Sequence, residues 1–309
     1  MSEPPHPYDR RFVFVTGKGG VGKSTVTAML ALRSARRGAR TLVCELNTQE
    51  RVSCLLGHQP VGGTVTCIDR NLWAVNISPA LAMEEYALMK LRFRAIYKLV
   101  FENPVMESLV RFVPGINDLL MMGKAFNHER EVDEEGQPAW DRVIIDAPAT
   151  GHGVTFFKLP RTIRDAVPAG NMHREAAAMW ALLTDPVRTA VHVVCLPEEL
   201  PVRETTELHA RLKGELGLPL GHVFLNMVPP PLFDAEARAD FDRLLERPAD
   251  PRLGLLWDVS RIRLAREALA AGYARELEAL DMPIVRLPIQ YTATFERPQI
   301  EALLETLPA

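Results

Sequence analysis

The chain has 309 residues, 47% hydrophobic and 24% charged, with a formal net charge of -3. Those are the proportions of a soluble globular protein with ample core, and the charge lacks the basic footprint of a dedicated nucleic-acid binder. No apolar run approaches the ~20 residues that span a bilayer, and the polar, proline-rich start is not a secretory signal. Four scattered cysteines without a C-x-x-C pair exclude a disulfide scaffold and a local zinc knuckle, and fit a reduced, cytoplasmic setting.

Residues 1–10 read as a disordered leader. RFVFVTG (11–17) is a β-branched and aromatic run ending in glycine, hence a strand entering a turn. A helical pattern follows and stops at Gly38, a plausible C′ glycine. TLVCEL (41–46) is the next strand, completing a right-handed βαβ unit. From about Pro79 to Arg130 the pattern is mostly helical, with breaks near Pro104 and at 114–115. EVDEEGQP (131–138) is a solvated loop, and WDRVIIDAPATG (140–151) is a buried strand feeding a polar turn. Helical sequence returns over 160–188, then a strand at 190–197 and a helix to about Leu216. HVFLNMV (222–228) is a strand, helices occupy about 234–279, and PIVRLPI (283–289) is the last strand before a short helix. Continuous apolar strands alternating with helices predict a doubly wound α/β fold, its mostly parallel sheet covered on both faces. The whole of 11–309 reads as one domain with helical insertions at about 79–130 and 160–188, forming a helical subdomain on one face.

TGKGGVGKST (16–25) lies between the first strand and the first helix and satisfies G-x-x-x-x-G-K-[ST] with Gly17, Gly22, Lys23 and Ser24. Gly19, Gly20 and Gly22 let the backbone N–H groups of the loop, Val21 included, face phosphate oxygens without a Cβ in the way. Lys23 would neutralise the β- and γ-phosphates of ATP, Ser24 would offer its hydroxyl to Mg²⁺, and Thr25 opens the helix whose N-terminus favours the anion.

The additional Lys18 makes the loop resemble the deviant P-loop of the MinD, ParA and nitrogenase-iron-protein class, which implies that this lysine reaches the nucleotide of a facing subunit. VIIDAPATGHGVTFFKLP (143–160) resembles the arsenite-pump (ArsA) and guided-entry tail-anchored-protein-targeting ATPases. The resemblance makes Asp146 the Mg²⁺-associated carboxylate, and makes Pro148, Thr150, Gly151 and His152 part of a switch II loop ahead of Leu159-Pro160. It extends to VPGINDLLMMGKAF (113–126) and to LTDPVRTAVHVVCLPEELPVRETTEL (183–208). It also implies that Asn226 reads the adenine edge and that Pro288 turns the last adenine-contacting loop.

Three departures stand against that pattern. The family's switch I Asp is Asn47 here, and an amide can hydrogen-bond the attacking water but cannot take its proton. Hydrolysis is then slow or lost, or Glu45 or Glu50 substitutes. The cysteines form neither the zinc pair nor the metalloid site of the relatives; Cys44 and Cys195 read as buried small hydrophobes, and Cys54 and Cys67 stay unassigned. The stretch between Pro160 and the next strand is shorter than the insertion that clasps client segments in the targeting enzymes. Met83, Met89, Met106, Met121 and Met122 could line a client groove, but the simpler reading is a helical core.

The basic cluster at 33–40 reads as a solvated helix end, and the short acidic C-terminus lacks a membrane-binding amphipathic helix. The expectation is an ATP- and Mg²⁺-using dimeric ATPase, paired with itself or a paralogue, with a protein client a further option. The alternatives are a hydrolysis-deficient regulatory half of a heterodimer and a tail-anchored-protein targeting factor.

Overall fold

The computed structural model describes residues 5–46, 49–83, 116–148, 153–245 and 254–307. Asn47, Met89, Met106, Thr150, Gly151 and His152 lie outside the described residues. The first strand, β1 (Phe12–Gly17), is buried at every position, because it lies between two parallel neighbours and under helices on both faces. α1 (Lys23–Arg36) ends as its sequence predicts: Gly38 is left-handed at φ 89°, its N–H bonds to Ala35 O, and that of Ala39 bonds to Ser34 O. That pair of bonds is a Schellman cap, which satisfies carbonyls the helix end leaves free.

β2 (Thr41–Leu46) and a single helical turn, α2 (Val52–Leu55), follow. β3 (Thr66–Asp69) and β4 (Leu72–Ile77) form an antiparallel hairpin that the sequence reading did not foresee. Its strand β3 is only half-buried, and its two-residue turn takes its left-handed residue from Asn71 rather than from a glycine. α3 (Ile116–Arg130) and β5 (Arg142–Asp146) come next. α4 (Gly153–Ala166) and α5 (Asn171–Thr184) then replace the helical span expected at 160–188. Pro160 lies inside α4, where it removes one backbone donor without ending the helix.

β6 (Thr189–Cys195) leads into α6 (Glu199–His209), which is extended by a wider π turn over Ala210–Glu215. β7 (Leu220–Val228), α7 (Ala235–Leu245), α8 (Gly254–Glu278), β8 (Ile284–Pro288) and α9 (Arg297–Leu304) complete the described chain.

The strands form one sheet in the order β3-β4-β2-β5-β1-β6-β7-β8, parallel except for β3. The doubly wound α/β architecture is therefore observed. Successive residues of β1 point to opposite faces and feed separate cores. Phe12 and Phe14 pack with Met121 and Met122 of α3, Phe156 and Phe157 of α4, and Leu277 of α8. Val13 and Val15 pack with Met29 of α1 and Ile300 of α9 on the other face. Met121 and Met122 are fully buried core residues, not the lining of a client groove.

The leader is a second correction. From Pro5 on it is ordered, with a short 3-10 helix at Pro7–Asp9. Tyr8 is buried against His192, His222 and Phe224, and Arg10 donates to Thr189 O at 2.9 Å. An aromatic ring and a guanidinium with a buried acceptor outweigh the turn-prone composition of this segment. Among the described residues no helix is long and apolar enough to cross a membrane.

Candidate functional site

At the carboxyl end of β1 the chain turns through residues 18–22 into α1, and two glycines there answer to steric demands. Gly17 has φ 147°, and a Cβ on it would lie 2.4 Å from Val194 O of β6. Gly22 caps α1 at φ 97°, and a Cβ there would meet the Asn226 amide nitrogen at 2.2 Å. Both positions exclude L side chains, so the loop is held close to β6 and β7.

Beside it lies a cavity of about 940 Å³. Its floor is Gly20, Gly22, Lys23, Ser24 and Thr25, with Asp146 from the end of β5. One wall is Gln49, Glu50, Arg51, Cys54 and Leu55, and the other is Phe295 and Glu296 ahead of α9. Ser24 Oγ donates to Asp146 Oδ2 at 2.6 Å, and Thr27 Oγ1 donates weakly to Oδ1 at 3.4 Å. Burial raises the Asp146 carboxyl above its usual range, against the pull of the Ser24 bond and the Lys23 charge. Lys23 is lowered by the same desolvation, partly offset by Asp146, and its Nζ donates to Lys18 O at 3.0 Å. A buried carboxylate penalised for its charge, 2.6 Å from a hydroxyl oxygen, is a hard-oxygen pair that a divalent cation would relieve. Among the described residues no three His, Cys, Asp or Glu converge, so such a cation would take its other ligands from phosphate and water.

The remaining residues singled out from sequence divide. Asn226 is buried and spends one amide N–H on Val21 O at 2.9 Å, so it braces the loop and keeps its second N–H and its carbonyl oxygen for other partners. Pro288 ends β8 and Pro148 follows β5, both half-buried and neither among the residues lining the cavity. Lys18 is not in the lining either; its Nζ is bound to Glu204 Oε1 of α6 at 2.8 Å.

Both carboxylates considered as substitutes for Asn47 carry structural bonds. Glu50 accepts the N–H groups of Val61 and Gly62. Glu45 is fully buried; its Oε1 accepts from Arg51 N at 2.7 Å and Val52 N at 3.0 Å, while Oε2 has no partner among the described residues. Desolvation pushes Glu45 up to about 7, against those two N–H bonds. All four cysteines are free; Cys44 and Cys195 are buried in β2 and β6, and Cys54 and Cys67 are exposed.

The profile of the anion-transporting ATPases matches residues 10–169, just over half the chain. The chain belongs to that family. Its ATPase relatives include ATPase BagA of Mycobacterium tuberculosis, 29% identical over 305 residues, covering 90% of this chain and 87% of the relative. The arsenical pump-driving ATPase of Escherichia coli is 26% identical over 237 residues, 71% of this chain but 40% of that protein. ATPase ASNA1 homolog 1 of Paramecium tetraurelia is 29% identical over 152 residues, 48% of this chain and 44% of the relative. In this family member, sequence reasoning missed Arg51, Cys54, Leu55, Phe295 and Glu296 as cavity residues. Only tertiary folding brings positions 51 and 295 to one opening.

Proposed function

We propose that the chain binds ATP with Mg²⁺ in the cavity between the P-loop and Asp146, hydrolyses it slowly, and closes with a second subunit while it is bound. The observation that carries this reading is the Ser24–Asp146 contact of 2.6 Å at the foot of a glycine-formed anion cradle. Backbone N–H groups of 19–24 and the start of α1 receive the phosphates, and Lys23 offsets the β- and γ-charges. Ser24 and Asp146 hold the cation, which when bound neutralises charge on the transferred phosphoryl group. Phe295 offers a ring against which a base can stack, and Asn226 Oδ1 offers an acceptor for an exocyclic amine. Lys18, free of its own cavity, is available to a facing subunit's nucleotide once it leaves Glu204.

Asn47 favours a second reading, a nucleotide-binding half that works beside a more competent paralogue, since an amide cannot take the proton of the attacking water. Phosphate release from the purified protein with Mg²⁺ and ATP tests both. The first reading expects turnover that Lys23→Ala reduces at least ~100-fold, the scale of lost transition-state charge stabilisation, and that Asn47→Asp raises. The second expects no turnover until a partner is added. Release equal in the wild type and Lys23→Ala contradicts the first.

A further inference from the structure

Among the described residues, Arg51 is the arginine that lines the P-loop cavity. The Arg51 side chain is exposed, lines the P-loop cavity, and has no hydrogen bond or ion pair among the described residues. Its backbone, in contrast, is fixed. Arg51 N and Val52 N both donate to Oε1 of Glu45, a carboxylate with no exposed surface. Glu45 is the direct cross-strand partner of Asp146, and Asp146 holds Ser24. Chain position, strand register and hydrogen bonds thus tie the root of Arg51 to the end of the cavity where Lys23, Ser24 and Asp146 lie.

We propose that Arg51 is a phosphate-binding cation supplied by the same chain, and that Glu45 is the positioning residue that aims it. This rests on the nucleotide reading above and adds to it a preference for a terminal phosphate. A guanidinium keeps its charge at every working pH and presents a fork of N–H donors that matches two oxygens of one phosphoryl group. The backbone N–H groups of Arg51 and Val52 are those at the start of α2, so Glu45 caps that turn and thereby fixes the backbone from which the Arg51 side chain leaves. The neighbouring Glu50 bonds the N–H groups of Val61 and Gly62, so the segment carrying Arg51 is anchored a second time. The assignment also bears on Asn47: where the water loses its carboxylate partner, an extra cation on the phosphoryl oxygens favours tight retention of ATP over rapid release of product.

The test measures ATP and ADP affinity in the presence of Mg²⁺ for the full chain and its variants. Arg51→Ala, a change at an exposed side chain, is expected to weaken ATP about tenfold to a hundredfold, as loss of a charge-assisted bond does, and ADP less than threefold. Arg51→Lys recovers part of the loss. Glu45→Ala reproduces the Arg51→Ala pattern, and Glu45→Gln, which still accepts both N–H groups, recovers most of it. The Glu45→Ala/Arg51→Ala pair is no weaker than Arg51→Ala alone, because both act through one contact. Arg51→Ala with unchanged ATP affinity, or with equal loss for ATP and ADP, overturns the assignment. A wild type that binds neither nucleotide overturns the underlying nucleotide reading instead.

Discussion

Lys18 and Glu204 illustrate how a weak contact can hold a reactive group in reserve. Their ion pair is about one-third exposed on both sides, and pairs of that kind contribute about 0–1 kcal/mol. Leaving it is therefore inexpensive, and under the proposed function Lys18 would exchange Glu204 for a phosphate of the facing subunit. Glu204→Gln should raise ATP-dependent dimerisation up to about fivefold in equilibrium constant, read by sedimentation, while Lys18→Ala lowers it. An unchanged constant in Glu204→Gln would remove the latch.

The histidines under the ordered leader give the fold a pH dependence. His192 Nδ1 accepts the N–H of His222 at 2.9 Å, and the His222 ring stacks on Tyr8 at 4.3 Å. Burial brings His222 down to about 4, with His6, Arg10 and Arg33 acting in the same direction, and it lowers His192 as well. Both rings are easier to protonate in the unfolded chain, near 6.5. Their stabilisation is thus complete above about pH 6.5 and is lost as pH falls toward 4. Asp146, raised by burial, works in the opposite sense, so the comparison must isolate the histidine. Thermal unfolding at pH 7.5 and 5 should show a smaller drop in Tm for His222→Phe than for the wild type. Equal drops would contradict the assignment.

At the scale of elements, the P-loop is a negotiated fit between a turn and two strands. Gly22→Ala places a Cβ within 2.2 Å of the Asn226 amide at a left-handed φ. The expected destabilisation is about 1–3 kcal/mol, the usual size of backbone strain, measured by urea unfolding. Loss below about 0.5 kcal/mol, the range of an ordinary surface substitution, would mean that the loop is looser than drawn. This element was legible in sequence, since glycine, lysine and serine at fixed spacing specify one backbone path. The strands β1, β2 and β5 were legible for another reason: burial on both faces writes them as continuous apolar runs. The β3–β4 hairpin was not, because half-exposed residues and an Arg70-Asn71 turn carry little signal. The leader failed likewise, its proline-rich composition hiding one buried tyrosine.

For the whole molecule, the order β2-β5-β1-β6 brings the carboxyl ends of the strands that bear the cavity together, where ligands of doubly wound sheets sit. The P-loop end of the cavity could be read from Gly17 to Ser24 and Asp146, residues whose chemistry is local or marked by motif. Arg51 and Phe295 could not, since 244 positions separate them and only the closed sheet brings both to one cavity. The reading of Asn226 needed geometry too, because one N–H of its amide is committed to Val21 O. Family membership supports ATPase activity in general; closure with a second subunit belongs to the proposed function and would act through Lys18.

The most direct test of the central claim is calorimetric titration of ATP into the full chain, with and without Mg²⁺, beside the Asp146→Asn variant. The account predicts one ATP per chain, bound at least tenfold more tightly with Mg²⁺, and loss of that Mg²⁺ enhancement in Asp146→Asn, on the scale of a lost charge-assisted contact. Equal affinity with and without Mg²⁺ in the wild type, or an enhancement that survives Asp146→Asn, would contradict it.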